Sequence, residues 1–461
     1  MKTSFLLIAT LLISGWGFSQ DSLTNIKANK EVIKKGWNIL PFPYLTFDAD
    51  LGIEFGASSS FVNYGDGKIY PKYYHMIAVS ASVYTKGSAT LLFSYDSDHL
   101  IKGFKTKMDV AYLPDLAFDF FGYNGYDAVY NESWRTDGSP DYRSRMFYKQ
   151  KRKMLRVRTT FEHAILNSHF RWLTGFEFYS VKTSTVNIDR LNKDKKDNLL
   201  PSVDSVPPLY DRYVHWGIIS EAEKAGGFFS LLKAGLVYDT RDEEQSPMRG
   251  IWAEATLLAA PGFMSTMDGS FLKLAVYWRQ YIPFIKNRLS LAYRLNYQST
   301  IAGYAPVYTE TFMFNSVANG LYNEGLGGAK TVRGMVRNRA VGDGIVSANF
   351  ELRWAFVKVI LFKQNIDFVL SGFFDTGRVV KKINIDDKIN ALTDDDIDYK
   401  HVGDTKADYF TPGAEKFHNT AGGGLHLIVN HNIVVAADFA KAFNKQDGTG
   451  LGVYIGSYFL F

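Results

Sequence analysis

Hydrophobic and polar residues alternate with period two along most of the chain. Between Met154 and Phe161, Leu155, Val157 and Phe161 point one way and Arg156, Arg158 and Thr160 the other. Leu289, Leu291, Tyr293, Leu295 and Tyr297 share one face against Ser290, Arg294 and Asn296. Val346, Ala348, Phe350, Leu352, Trp354 and Phe356 alternate with Ser347, Asn349, Glu351 and Arg353. Successive strand side chains leave opposite faces, so the pattern predicts strands with one apolar and one polar side. Sixteen are expected, over 43–50, 52–63, 74–85, 88–98, 104–114, 152–165, 168–183, 227–242, 249–262, 268–283, 286–301, 344–357, 364–377, 418–430, 432–443 and 449–461. Most reach the 9–11 residues or so that a tilted strand needs to cross a bilayer.

The pattern alone also fits a soluble sandwich with its apolar face inward. The connections separate the two. With the first strand leaving the periplasm, the loops 115–151, 184–226, 302–343 and 378–417 are long, polar and charged and fall on the outer side. The connections 166–167, 243–248, 284–285, 358–363 and 430–432 are short and fall on the other. Sorting by parity is the mark of an outer-membrane barrel. The expected fold is therefore all-β, a transmembrane antiparallel β-barrel of about 16 strands.

Composition agrees with this and removes other classes. The 461 residues are 46% hydrophobic and 15% aromatic, with a net charge of +5, which is unlike a disordered chain. With no Cys, neither a disulfide scaffold nor a thiolate metal site is available. Lys2, the apolar run Phe5–Ile13 and the small residues Gly17 and Ser19 read as a secretory signal peptide over residues 1–19, cleaved before Gln20. The run is too short for a spanning helix, which takes about 20 apolar residues. Residues 20–42 form a short periplasmic lead-in, and 43–461 the barrel. The expected location is the outer membrane of a Gram-negative bacterium.

Three local patterns carry further information. Leu236-Val237-Tyr238-Asp239-Thr240-Arg241-Asp242 leads through Pro247-Met248-Arg249-Gly250 into the next strand. Gly327-Gly328-Ala329-Lys330-Thr331-Val332-Arg333-Gly334-Met335 lies in the long loop before the twelfth strand. Gly372-Phe373-Phe374-Asp375-Thr376-Gly377 closes the thirteenth. By parity Asp367, Ser371, Phe373, Asp375 and Glu351 face the lumen, whereas Phe368, Leu370 and Phe374 face lipid. In order and spacing these patterns resemble the BamA-like superfamily, the bacterial surface-antigen barrels that insert or translocate outer-membrane proteins. The resemblance runs from about residue 43 to 461 and is strongest from 230 onward.

The resemblance implies a sixteen-stranded barrel whose sixth outer loop folds back into the lumen on a Val/Ile-Arg-Gly-aromatic tip. It implies that Arg333 reaches in to pair with Asp375 and Glu351, locking the loop. An Arg fork can bridge two carboxylates, a geometry Lys does not reproduce. Gly327, Gly328 and Gly334 supply the sharp turns. Asp239 and Arg241 point inward as a lumen ion pair, while Pro247 and Gly250 are turn chemistry. Met335 stands where an aromatic is usual. Family members place POTRA domains before the barrel, and residues 20–42 are too few for one, so an accessory role is expected. The ending Leu451 to Phe461, with Phe459 and Phe461 at alternate positions, resembles the C-terminal barrel signal of outer-membrane proteins.

Other signals are weaker. Gly325-Leu326-Gly327-Gly328-Ala329-Lys330-Thr331 lacks the Gly-Lys adjacency of a phosphate loop. His426 and His431 flank a turn and make no metal pair, no Gly-x-Ser-x-Gly elbow exists, and no cofactor is expected. The acidic stretch 386–398 reads as a solvated loop, with calcium binding as the sharper reading. The expected partners are outer-membrane lipids, lipopolysaccharide phosphates and other outer-membrane or assembly-complex proteins, with no nucleic acid. The leading function is outer-membrane protein assembly, insertion or translocation, and not enzymatic. A passive channel or surface-binding scaffold is the rival reading, and an outer-membrane lipid hydrolase a third.

Overall fold

The computed structural model describes residues 31–461 except 49–51, 168, 267–268, 317–323, 400–402 and 457–460. The signal-peptide segment lies outside the described residues. Each alternating segment forms a strand. The first four are β1 (Trp37–Asp48), β2 (Gly52–Asn63), β3 (His75–Tyr84) and β4 (Ala89–Ile101). Then come β5 (Phe104–Asp119), β6 (Lys149–Asn167), β7 (Phe170–Ser184), β8 (Gly226–Asp239), β9 (Gly250–Ala260) and β10 (Phe271–Ile285). The last six are β11 (Leu289–Gly303), β12 (Gly344–Leu361), β13 (Gln364–Lys381), β14 (His418–Val429), β15 (Ile433–Ala442) and β16 (Gly452–Gly456). Every strand pairs with its sequence neighbour, giving one 16-stranded antiparallel sheet in the order β1 to β16. Among the described residues no helix is long and apolar enough to cross a membrane. The architecture is the transmembrane barrel expected from the alternation.

The alternation sorts burial as well. On β12, Phe350, Leu352 and Trp354 are exposed on the outer face, and Asn349, Glu351 and Arg353 are fully buried inside. Lipid covers the first set in place of a protein core, so the charged set has to be satisfied internally. The barrel wall starts at Trp37, six residues before the expected 43. The extra residues include Pro41, opposite Ser59 of β2, and Pro43 follows opposite Ala57. Proline cannot donate to a ladder and is confined to edge strands. Consistently, β1 and β16 make no ladder with each other among the described residues.

The long loops close one end of the barrel. Phe121, Tyr148, Tyr213, Trp216, Tyr409 and Phe410, drawn from three of them, form the heart of an aromatic cluster that Val307 and Val341 of a fourth complete. Short helices at Leu209–His215 and Asp386–Ala391 belong to this dome. At the opposite, turn end the connections are shorter, with two-residue turns at 102–103 and 362–363 among them.

Candidate functional site

The loop between β11 and β12 turns inward and ends against the barrel wall. Thr331 Oγ1 ties its neck, accepting from Gly327 N at 2.8 Å and donating to Gly327 O at 3.0 Å. Gly327 sits at φ +115°, and a Cβ there would lie 2.1 Å from the Val336 carbonyl. Beyond the neck, Arg333 is completely buried. Its backbone N–H and Nε both donate to Asp375 Oδ2, at 3.0 and 2.9 Å, and Nη2 donates to Asp375 Oδ1 at 3.1 Å. Nη1 serves Glu351 Oε2 at 2.9 Å and Asp438 Oδ2 at 3.1 Å. The Phe373 ring lies 3.3 Å beneath the guanidinium carbon, a cation–π contact shielded from water. One loop side chain therefore holds three strands, β12, β13 and β15, at once.

The carboxylates have further partners, so the network is not a lone buried pair. Arg353 Nε donates to Glu351 Oε1 at 2.8 Å, and His426 Nε2 lies 2.8 Å from Asp438 Oδ1. Asn349 Nδ2 donates to the Thr331 carbonyl at 2.7 Å, and its own Oδ1 accepts from Arg294 at 2.7 and 2.9 Å. Such saturation is what keeps charges affordable in a low-dielectric interior.

Past the arginine, the tip meets the last two strands. Gly334 has φ +90°, and a Cβ on it would lie 2.8 Å from Lys441 N and 2.9 Å from Ala440 C. Its N–H donates to Tyr454 Oη on β16 at 2.8 Å. Met335 is buried with Met313, Leu326, Val332 and Val379, so an apolar side chain without a ring fills that position. Gly328, at φ +81°, completes the turn.

Sequence reasoning placed Arg333, Gly334, Asp375 and Glu351 in one site, and the structure brings these four together. It missed Asp438 and Tyr454. A lone acid in the apolar run Ala436-Ala437-Asp438-Phe439-Ala440 was the available signal for the first. Asp239 and Arg241 form a two-point pair, with Nε and Nη2 at 2.9 and 2.8 Å from the two carboxylate oxygens. Arg171 joins them from β7 at 3.2 Å. Gly250, at φ +106°, abuts the Thr240 carbonyl, and Pro247 is buried in the same connection.

Two expectations need adjustment. Phe459 lies outside the described residues. Phe461 is buried on the lumen side with Tyr281 and Ala292, and its carbonyl accepts from Arg353 Nη2 at 2.8 Å. The described part of β16 ends at Gly456, not at 461. The acidic stretch 386–398 caps short helices: Asp386 and Asp387 open one, and Asp396 accepts from Thr393 N at 2.8 Å in a capping box at the next. No group of metal-ligating side chains occurs among the described residues.

A family model described as the Omp85 superfamily domain matches residues 104–457. Among solved structures the chain is similar to CdiB from Escherichia coli, at 10% identity and a TM-score of 0.51, covering 91% of this chain and 61% of that one. It is also similar to BamA from Haemophilus ducreyi lacking POTRA domains 1-3, at 14% identity and a TM-score of 0.47, covering 92% and 70%. The chain thus spans less than two thirds of the CdiB structure, and at such identities the likeness concerns the fold alone. No curated protein matches the sequence.

Proposed function

The chain belongs to the Omp85 superfamily, and we propose that it works in the outer membrane of a Gram-negative bacterium, assembling, inserting or translocating proteins as an accessory component of a complex. The observation that carries this reading is where Arg333 delivers its loop. Its grip on β12, β13 and β15 sets Gly334 on Ala440, Lys441 and Tyr454, beside the end of the sheet. Among the described residues β16 pairs with β15 over Ala436–Ala440, β1 pairs with β2 and not with β16, and β1 carries two prolines, Pro41 and Pro43. An edge with few ladder bonds is a template for an incoming strand. The fixed wall would hold the barrel's shape while the β1–β16 seam yields. Residues 20–36 act as the periplasmic lead-in, and the turn end faces the periplasm.

The buried ion pairs that fill the lumen speak against a wide, steady pore. Conditional depletion tests the proposal. Loss of the protein should lower the abundance of particular outer-membrane proteins, measured by quantitative proteomics of the isolated membrane. An unchanged outer-membrane proteome would refute an assembly role. Co-purification from native membranes should return other envelope proteins. A purified barrel with large, steady single-channel conductance would favour the passive channel instead.

A further inference from the structure

The turn end carries contacts that the lumen loop does not explain. Three connections meet there: 64–74 between β2 and β3, 240–249 between β8 and β9, and 430–432 between β14 and β15. Tyr73 Oη of the first reaches Glu244 Oε2 of the second at 3.5 Å. Ser246 Oγ of the second donates to the His431 carbonyl of the third at 2.7 Å, and His431 Nδ1 lies 2.9 Å from Glu243 Oε1. Asn432 Nδ2 of the third donates back to the first, to Tyr64 Oη at 3.1 Å and the Pro71 carbonyl at 2.7 Å.

The sheet order turns these distances into a statement about shape. β2 to β8 is six strands, β8 to β14 is six, and β14 to β2 through the seam is four, which makes the full sixteen. Six strands span about 29 Å of wall at roughly 4.8 Å per strand. Three points spread that evenly around a ring can touch pairwise only across its middle. The segment before β1 joins them, since Val32 exchanges two backbone bonds with the Asn365 side chain at 2.9 and 2.8 Å, and Glu31 Oε1 lies 2.5 Å from His431 Nε2. Behind the junction the wall is lined by small residues. Ser58, Ser60, Ala78 and Ser80 face inward and are only half-buried, which leaves room along β2 and β3.

We propose that this three-way junction is a gate that closes the mouth of the resting barrel at the turn end and must open before anything enters the lumen. That the mouth is periplasmic rests on the orientation proposed above; the gate itself does not. The chain has no Cys, so a single Ser58→Cys reports access cleanly. In lipid nanodiscs, where both ends meet solvent, a membrane-impermeant maleimide should label Ser58→Cys slowly. Tyr70 of the first connection packs its ring on the His431 imidazole, 5.9 Å between centroids, and its hydroxyl accepts from Asn365 Nδ2 at 2.8 Å, so adding Tyr70→Ala with Asn432→Ala should raise the rate about tenfold or more, as expected for a local opening equilibrium. His431→Ala, which touches no wall strand, should raise it less and serves if the double variant loses heat-modifiability. Labelling of the ungated protein as fast as an exposed Glu221→Cys control would overturn the gate, as would rates unmoved by His431→Ala. In intact cells the reagent, confined to the outside, should leave the gate variants slow. Fast labelling there would overturn the orientation and leave the gate standing.

Discussion

The inner walls of β2–β3 and of β4–β15 obey the same alternation and differ in chemistry. On the larger arc the inward positions are charged and paired. Lys107 meets Glu162 at 2.5 Å, Lys233 meets Glu177 at 2.7 Å and Arg156 meets Asp109 at 2.7 Å, all buried. On the smaller arc the middle positions are small, Gly56, Ser58, Ser60, Ala78 and Ser80, with inward Glu54 left to the end of β2. The braced arc fixes the wall and receives the lumen loop. The plain arc adjoins the β1 edge and leaves space. A barrel that only had to be stable would gain by bracing all round, so the asymmetry marks where movement is tolerated.

Variants can break this contrast in order of expected effect. Arg333→Ala leaves Asp375, Glu351 and Asp438 without their shared cation, and removing one partner of a buried ion network costs about 3–5 kcal/mol. Heat-modifiability and thermal unfolding in detergent should both report the loss, and an unchanged folding yield would sink the proposed lock. Arg333→Lys should recover only part of it, because an ammonium cannot serve Asp375 and Glu351 together through a planar fork. Gly334→Ala comes next. A residue forced to φ +90° against the Ala440–Lys441 backbone should cost about 1–3 kcal/mol and shift the Tyr454 environment, readable by near-ultraviolet dichroism. On the plain arc Ser58→Ala should move stability by less than about 0.5 kcal/mol in the same assay; a loss as large as that of Arg333→Ala would erase the distinction between the arcs.

The smallest effect is on pH. Burial lowers the His431 imidazole, and the facing carboxylates of Glu243 and Glu31 outweigh it, raising the group from its ordinary 6.5 to about 9. The Tyr70 ring packs against the other side of the imidazole, 5.9 Å between centroids. A raised folded value means that the stabilisation is complete below about 6.5 and is lost as pH climbs through about 9. Labelling of Ser58→Cys, corrected for reagent ionisation with the Glu221→Cys control, should therefore quicken between pH 8 and 10, as judged from that value. A flat corrected profile would detach His431 from the junction.

Much of the wall was legible because side-chain parity is a local property. Period-two alternation marks all sixteen strands, and the inward position of Glu351 and Asp375 follows from counting. Parity does not give depth along the barrel or the neighbour across it. Asp438 meets Arg333 because β15 and the lumen loop reach the same level, which no spacing within either segment encodes. The junction of 64–74, 240–249 and 430–432 arises from ring closure, so three turns far apart in sequence converge without a shared motif. β1 starts six residues before the expected 43, and it carries Pro41 and Pro43 because an edge strand tolerates residues that cannot donate to a ladder. Phe461 was expected on the wall by its alternating approach; its burial beside Tyr281 and Arg353 depends on a lumen contact invisible in the last strand.

The central claim is that Arg333 fixes one side of the barrel while the β1–β16 seam stays loose. Amide hydrogen exchange of the protein in nanodiscs measures both at once. The account predicts that β12, β13 and β15 exchange at least about a hundredfold more slowly than β1 and β16, and that Arg333→Ala narrows the gap from the slow side. Equal protection across β1, β12, β13 and β16, or a gap indifferent to Arg333→Ala, would contradict it.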